Sequence, residues 1–294
     1  MTKINVKEFL VEGKEKITLS KMNHKVPLLY DGKKDYQKQI NALREEIDER
    51  QRMMYAHDRY ALLCVFQAMD AAGKDSTIRA VFSGVNPHGL QVTAFKQPSD
   101  EELDHNYLWR TTKAMPERGR IGVFNRSYYE EVLVVRVHPE ILTRYQRLPK
   151  ESVEDLQQVW TQRYEAIRNF EHYAHQNGTR VLKFFLNVSK QEQRNRFISR
   201  IDEAEKNWKF SEADVKERGY WDDYMQAYED CINHTASKYA PWHIIPADDK
   251  RNMRLIVSHI VLDTLKRMDV HYPKISKARQ KELQAMRSAL ETDL

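Results

Sequence analysis

The sequence predicts an α/β protein with a parallel sheet wrapped by helices on both faces. Short apolar runs alternate along the chain with segments of helical periodicity, and several of these runs are apolar at almost every position. Parallel strands that are buried on both faces have this continuous apolar pattern. The chain has 294 residues, of which 41% are hydrophobic, so it can bury a large core. We expect a single domain over residues 1–294.

The predicted elements alternate in chain order. A helix over 35–56 is indicated by apolar residues at three- and four-residue spacing, namely Tyr36, Ile40, Leu43 and Ile47. The predicted strands are 60–67, 90–95, 120–124, 180–187 and 241–246. The predicted helices are 76–82, 100–115, 152–177, 191–202, 220–234 and 253–268. We predict an irregular segment at 203–219, an N-terminal helical extension over 1–55 and a terminal helix over 274–294.

Composition excludes several classes of protein. No run approaches eighteen consecutive apolar residues, and the N-terminus has no apolar signal segment, so we expect a cytoplasmic protein without a membrane partner. Cys64, Cys231 and the eleven histidines lack the spacing of a transition-metal or disulfide site. The net charge of +5 is too small to indicate a nucleic-acid partner, and we predict none.

The segment 64–76 predicts a phosphate-binding loop. An apolar strand ends in small residues around Gly73 and Lys74, and a helix follows. Backbone N–H groups at the start of that helix, its dipole and the Lys74 ammonium would converge on phosphate oxygens. The Walker pattern is incomplete, because Ala68 replaces its first glycine and Asp75 directly follows the lysine. A plain strand-to-helix turn with a solvated lysine is the alternative.

Asp70 places a carboxylate inside this anion-binding loop. Phosphate would repel the carboxylate unless a divalent cation lay between them, so Asp70 predicts a site for Mg²⁺, or for Mn²⁺ in its place. We assign the loop's phosphate contacts to Ala71, Ala72, Gly73, Lys74, Asp75 and Ser76.

Polar residues follow the predicted strand 120–124, and ligands of parallel sheets bind beyond the carboxyl ends of strands. Asn125 stands where many phosphate-loop enzymes have a metal-binding aspartate. Its amide can donate a hydrogen bond to a phosphate or ribose oxygen, or it can cap the following helix. Arg126 is predicted to spread positive charge over a transferred phosphoryl group.

Two groups of basic residues predict a channel for an extended polyanion. The first is Arg118, Arg120, Arg126 and Arg136, and the second is Lys190, Arg194, Arg196, Arg200, Lys206 and Lys209. If both groups face the loop, their side chains would grip successive phosphates. We assign phosphate contacts to Arg126, Arg136, Arg194 and Lys209. A solvated helix face is the alternative for Arg194.

The sequence resembles the second family of polyphosphate kinases over about residues 36–265. The resemblance rests on the segments Asp-Ala-Ala-Gly-Lys (70–74), Ser-Gly-Val-Asn-Pro (83–87), Phe-Lys-Gln-Pro (95–98), Tyr-Leu-Trp-Arg (107–110), Phe-Asn-Arg-Ser-Tyr-Tyr-Glu-Glu-Val-Leu (124–133), Asn-Trp-Lys-Phe-Ser (207–211) and Ala-Pro-Trp (240–242). It implies a three-layer α/β/α sandwich similar to thymidylate kinases, that is, a P-loop kinase with a helical lid at 190–220.

The resemblance also implies an activity. The terminal phosphoryl group of inorganic polyphosphate would pass directly, in line and reversibly to AMP or ADP with Mg²⁺. By position, Asp70, Lys74 and Arg126 take the catalytic roles, while Asn125 and Glu130 contact the nucleotide, although Glu130 alone would be interpreted as a helix-surface carboxylate. Asn125 in place of an aspartate resembles the branch that accepts both AMP and ADP. We expect a homo-oligomer.

Two other functions remain open from the sequence. An ATP-dependent nucleoside or nucleoside-monophosphate kinase on the same scaffold would need a closed pocket for the ATP base instead of a long basic channel. A nucleic-acid-binding surface would show steep salt dependence, but the aromatic residues fall in helical core patterns and not in a stacking platform.

Overall fold

One six-stranded sheet runs through the part of the chain that the computed structural model describes, residues 4–292 without the side chains of Lys206 and Lys209. The strands are β1 Leu10–Val11, β2 Ala61–Gln67, β3 Leu90–Ala94, β4 Ile121–Asn125, β5 Thr179–Asn187 and β6 Trp242–Pro246. Their order across the sheet is β1-β6-β5-β2-β4-β3. Strands β2 to β6 are parallel, and β1 pairs with β6 in antiparallel direction. The predicted parallel sheet is confirmed, with an edge strand that the sequence pattern did not predict.

Helices cover both faces of this sheet. In residues 4–292 they are α1 Gly32–His57, α2 Lys74–Phe82, α3 Asp100–Leu103, α4 Trp109–Ala114, α5 Val134–Val137, α6 Glu140–Arg144, α7 Leu156–Gln176, α8 Lys190–Asp202, α9 Glu212–Arg218, α10 Trp221–Thr235, α11 Lys250–Arg267 and α12 Lys277–Thr292. Helices α1, α2 and α11 pack together in one layer, and α7 packs against α10 in the other. None of these helices has the length and apolarity needed to cross a bilayer. The predicted three-layer sandwich is confirmed.

The central strand β2 determines where the candidate site lies. All seven of its residues are buried, and it lies between β5 and β4 in the sheet. Its carboxyl end therefore delivers the following loop to the middle of the sheet edge. The carboxyl end of β4 is its immediate neighbour, since Phe66 pairs with Asn125.

The predicted helical extension over 1–55 is wrong before α1. The described residues there form short 3-10 turns and β1. The backbone N–H of Leu19 donates to Glu229 on α10 at 2.7 Å, and that of Leu29 donates to Asn252 on α11 at 3.0 Å. These side chains pair backbone groups that a helix would have paired internally.

Two other predicted segments differ in detail. The helix predicted over 100–115 is divided into α3 and α4, because the Asn106 side chain accepts from the N–H of Leu108 at 3.1 Å and offers the backbone a turn. The segment 203–219, predicted to be irregular, contains a 3-10 helix and α9. Helix α9 begins after Ser211, whose hydroxyl accepts from the backbone N–H of Ala213 at 3.2 Å.

Candidate active site

The loop between β2 and α2 has a backbone suited to anion binding. Ala71 and Gly73 lie in the left-handed region, with φ of 60° and 104°, and α2 begins at Lys74. Thr77 donates its backbone N–H to the carbonyl of Gly73 at 3.0 Å. The N–H groups of the preceding turn have no helical carbonyl to reach, so they can bind phosphate oxygens. This geometry supports the predicted phosphate contacts of residues 71–76.

Lys74 is held beneath the loop. Its Nζ donates to the carbonyl of Ala68 at 2.8 Å, and within residues 4–292 it forms no ion pair. Burial lowers the pKa of Lys74, and the nearby Asp70 carboxylate acts in the opposite direction. A partly buried ammonium whose hydrogen bond goes to a neutral carbonyl gains from an added anion.

Arg126 reaches the loop from the carboxyl end of β4. Its Nη2 donates to Oδ1 of Asp70 at 3.1 Å. Its backbone is in the left-handed region, with φ of 63°, and its N–H donates to the carbonyl of Phe66 on β2 at 3.1 Å. For a residue with a side chain this conformation costs about 1–2 kcal/mol, and such strain is often found at functional sites.

Two acidic neighbours stabilise the positive charge of Arg126. Burial by itself lowers the pKa of Arg126, but the carboxylates of Glu130 and Asp70 outweigh it and the pKa is raised. Glu130 is partly buried, and burial raises its pKa against the opposing effect of Arg126 and Lys74. Glu130 is therefore part of this charge cluster, and its interpretation as a helix-surface carboxylate is wrong.

Asn125 bridges β4 to the first turn of α2. Its Nδ2 donates to Oδ1 of Asp75 at 2.6 Å. The alternative role as a helix cap is wrong, because the hydroxyl of Ser127 caps the next turn by accepting from the N–H of Tyr129 at 3.2 Å. The Asn125 amide is neutral, so it does not cancel the charge of Asp75. Its carbonyl oxygen can still accept a hydrogen bond from another group.

The phosphate loop, Asn125 and Arg126 share one cleft of about 670 Å³. Its lining includes the predicted site residues Asp70, Ala71, Ala72, Gly73, Lys74, Asp75, Ser76, Asn125 and Arg126. Four further basic side chains line it, namely Lys96, Arg196, Arg200 and Lys250. The sequence prediction missed Lys96 and Lys250 as site residues, although Lys96 belongs to the Phe-Lys-Gln-Pro segment that carries the resemblance. The cleft is strongly basic, as a polyanion site requires.

Several predicted cationic residues do not meet at the cleft. The phosphate contact assigned to Arg136 is wrong, because its guanidinium bonds to Asp230 and Tyr164 between α5, α7 and α10. Arg120 pairs with Glu117 at the opposite end of β4. Arg194 is exposed on α8 near Arg218, as in its solvated-face alternative. The Lys209 side chain lies outside the described residues, so its assignment remains a prediction.

Arg196 fixes the loop to its surroundings. It is 7% exposed, and its Nη1 donates to the carbonyls of Ala71 at 3.2 Å and Ala72 at 2.7 Å. Its Nη2 donates to the carbonyls of Ala247 at 2.6 Å and Asp248 at 3.2 Å after β6. One guanidinium therefore clamps the phosphate loop to the end of β6, a positioning role that spacing alone did not indicate.

The Arg196→Met variant is expected to be destabilised by about 2–4 kcal/mol, because buried carbonyls lose charged donors. Urea denaturation measures the free energy of unfolding. Arg194→Met is the matched control, since Arg194 is exposed on the same helix, and it should stay within about 0.5 kcal/mol of wild type. Equal stability of the two variants would contradict the clamp.

The donor set at the cleft fits a magnesium ion shared with a substrate. Within residues 4–292, apart from the two undescribed side chains, no three His, Cys, Asp or Glu side chains converge as metal ligands. Asp70 and Asp75 do bring carboxylates to the cleft. Mg²⁺ typically binds one or two carboxylates together with waters and substrate phosphates, so these residues suit it.

Comparisons with known proteins agree on one family. Residues 30–273 match the family model described as polyphosphate kinase 2. The chain is 53% identical over 289 residues to an ADP-polyphosphate phosphotransferase of Rhodopseudomonas palustris, covering 98% of this chain and 99% of the relative. It is 43% identical to an AMP/ADP-polyphosphate phosphotransferase of Meiothermus ruber, covering 85% and 88%. A crystal structure of polyphosphate kinase 2 from Arthrobacter aurescens superposes with a TM-score of 0.83 at 35% identity, covering 97% and 98%.

Proposed function

The chain belongs to the polyphosphate kinase 2 family, and we propose that it transfers the terminal phosphoryl group of inorganic polyphosphate to AMP and ADP. The observation that carries this proposal is the shared cleft, where Lys74, Arg126 and the loop N–H groups are continued by further cations. A chain of linked phosphates needs such a continuous row of donors. The name of the relative from Meiothermus ruber supports both acceptors, and that of the relative from Rhodopseudomonas palustris supports ADP.

The acceptor nucleotide has a cavity of its own beside Arg126. This acceptor cavity, of about 320 Å³, lies between the end of β3 and α5, and its lining includes Phe95, Pro98, Leu103, Val134, Ile141 and Tyr145. Apolar walls of this kind suit a nucleobase and ribose. Glu130 also lines the acceptor cavity, and Arg126 lines both this cavity and the cleft at the phosphate loop, so the acceptor phosphate would lie next to the polyphosphate end.

Transfer requires two polyanions to approach each other. Mg²⁺, held by Asp70 together with substrate phosphate oxygens, would supply electrostatic screening. Lys74 neutralises charge on the donor from below, and Arg126 does so at the point where donor and acceptor meet. The attacking phosphate oxygen of AMP or ADP is already ionised, so no general base is needed. What the protein supplies is alignment and charge.

The proposed lid, residues 190–220, would exclude water from the cleft. In this structure α9 of the lid contacts the body through Glu217, which accepts from Tyr224 at 2.7 Å and lies 3.0 Å from Nε2 of His138. Arg200 on α8 reaches Asp214 on α9 at 3.4 Å. We also propose that the protein acts in the cytoplasm as a homo-oligomer, with the exposed apolar side chains of α12 available for assembly.

The direct test mixes the purified protein with Mg²⁺, AMP and long-chain polyphosphate without ATP. We expect ADP and then ATP to form, because polyphosphate alone supplies the phosphoryl groups. Anion-exchange chromatography measures both products. Omission of polyphosphate is the control and should give no product. Phosphorylation of AMP that requires added ATP and ignores polyphosphate would identify an ATP-dependent nucleoside-monophosphate kinase instead.

A further inference from the structure

A second cavity lies behind the acceptor cavity and shares a wall with it. This rear cavity has a volume of about 360 Å³. The residues that line both cavities are Pro98, Leu103, Arg110, Glu131 and Gln146. Arg126 lines the acceptor cavity but not the rear cavity, so a nucleotide whose phosphate lies at Arg126 would extend toward the shared wall. The edge of a nucleobase would therefore face it.

A buried polar network forms this wall. Oε2 of Glu131 accepts from Nη1 of Arg163 at 2.9 Å and from Nε2 of Gln146 at 2.6 Å. Oε1 of Gln146 accepts from Nη2 of Arg163 at 2.6 Å. Glu131 and Arg163 are only 4% and 6% exposed. The network holds the carboxylate of Glu131 in one orientation, and no hydrogen bond within residues 4–292 uses its Oε1.

The rear cavity also contains an unsatisfied hydroxyl. The buried OH of Tyr107 has no hydrogen-bond partner among the described residues. Its ring packs under the guanidinium of Arg163, whose Cζ lies 5.0 Å from the ring centre. Burial raises the pKa of Tyr107 to about 12, so the hydroxyl stays a donor at neutral pH. A buried polar group left unpaired indicates that a ligand or water belongs there.

We propose that Glu131 reads the base of the acceptor nucleotide through Oε1, and that the site prefers a purine carrying an exocyclic amino group, such as adenine. The inference rests on the proposed function, which places the acceptor next to Arg126. An ionised carboxylate accepts hydrogen bonds but cannot donate them. An amino group at the purine six-position donates to it, whereas a base edge with lone pairs alone is repelled.

The roles within the network differ. Glu131 contacts the base, and Gln146 is a positioning residue, because its amide fixes the carboxylate without adding charge. Arg163 supplies the countercharge that allows a carboxylate to be buried at this wall. Glu131 follows Glu130 directly in the 3-10 turn at Tyr128–Val132, and both line the acceptor cavity. Glu130 also lines a cavity with Asp70 and Arg126, whereas Glu131 lines the rear cavity.

The test compares AMP with purine riboside 5′-monophosphate, which has the same shape but lacks the six-amino group. With polyphosphate and Mg²⁺, wild-type kcat/KM should be about tenfold or more higher for AMP, as expected for a hydrogen bond to a charged group. In Glu131→Gln and Gln146→Leu the ratio should fall to about threefold or less. Thermal unfolding checks that each variant is folded.

The outcomes separate this inference from the proposed function. A wild-type enzyme that phosphorylates both acceptors equally well would overturn base reading by Glu131 and leave polyphosphate transfer intact. An unchanged ratio in either folded variant would overturn it as well. If a variant does not fold, the wild-type ratio decides. Failure of wild type to use AMP at all would overturn the proposed function, and this inference with it.

Discussion

Replacement of Arg126 by alanine is expected to lower kcat for ADP formation by about 10³-fold or more, the effect of removing an arginine that stabilises a transferring phosphoryl group. Arg126 lines both the cleft at the phosphate loop and the acceptor cavity, and among the described cationic side chains only Lys96 shares that position. The charge of Arg126 is held by Asp70 and Glu130. Initial rates at saturating AMP and polyphosphate measure the loss.

Arg120→Ala is the matched control for this variant. Arg120 precedes the same strand, β4, but pairs with Glu117 at the other end of the sheet. Exposed pairs of this kind contribute about 0–1 kcal/mol, so kcat should stay within a factor of about two. Circular dichroism compares the folding of the two variants. An Arg126→Ala enzyme that retains a tenth of wild-type kcat would refute a transition-state role for Arg126.

Much of the site was predictable because its signals are local in sequence. The apolar strand, the small residues around Gly73 and the polar residues after β4 are each a signal that spans only a few residues of sequence. Parallel pairing of β2 with β4 then brings Asp70 and Arg126 together without any further information. A rule about strand ends was therefore sufficient to place both residues at the cleft.

Side-chain direction was not predictable from the same patterns. Arg136 is bound by Asp230, which is 94 residues away in the chain, and Arg196 binds carbonyls of two distant loops. Both arginines lie in basic segments, so local composition does not distinguish the contacts that they make. Edge strand β1 pairs through only two residues, too few to give a period. The direction of these side chains and the pairing of β1 depend on packing partners that are distant in sequence.

A buried ion pair supports the 3-10 turn Tyr128–Val132, which follows Arg126 and contains Glu130. Nζ of Lys183 on β5 donates to Oε2 of Glu171 at 2.7 Å and to the hydroxyl of Tyr129 at 2.9 Å. Oε1 of Glu171 accepts from Tyr128 at 2.8 Å and from Tyr129 at 2.7 Å. Lys183 and Glu171 side chains are 0% and 1% exposed. Burial lowers the pKa of Lys183, with Glu171 opposing that effect.

The Lys183→Met variant is expected to lose about 3–5 kcal/mol of stability, because it leaves the carboxylate of Glu171 buried without its countercharge. The double variant Lys183→Met/Glu171→Gln should be more stable than Lys183→Met, since a neutral amide can still accept from both tyrosines while no charge stays buried. Urea denaturation measures the free energy of unfolding of wild type, Lys183→Met, Glu171→Gln and the double variant, which together form a double-mutant cycle. Losses that simply add would mean that Lys183 and Glu171 contribute to stability independently, and that the turn before Glu130 is held by packing alone.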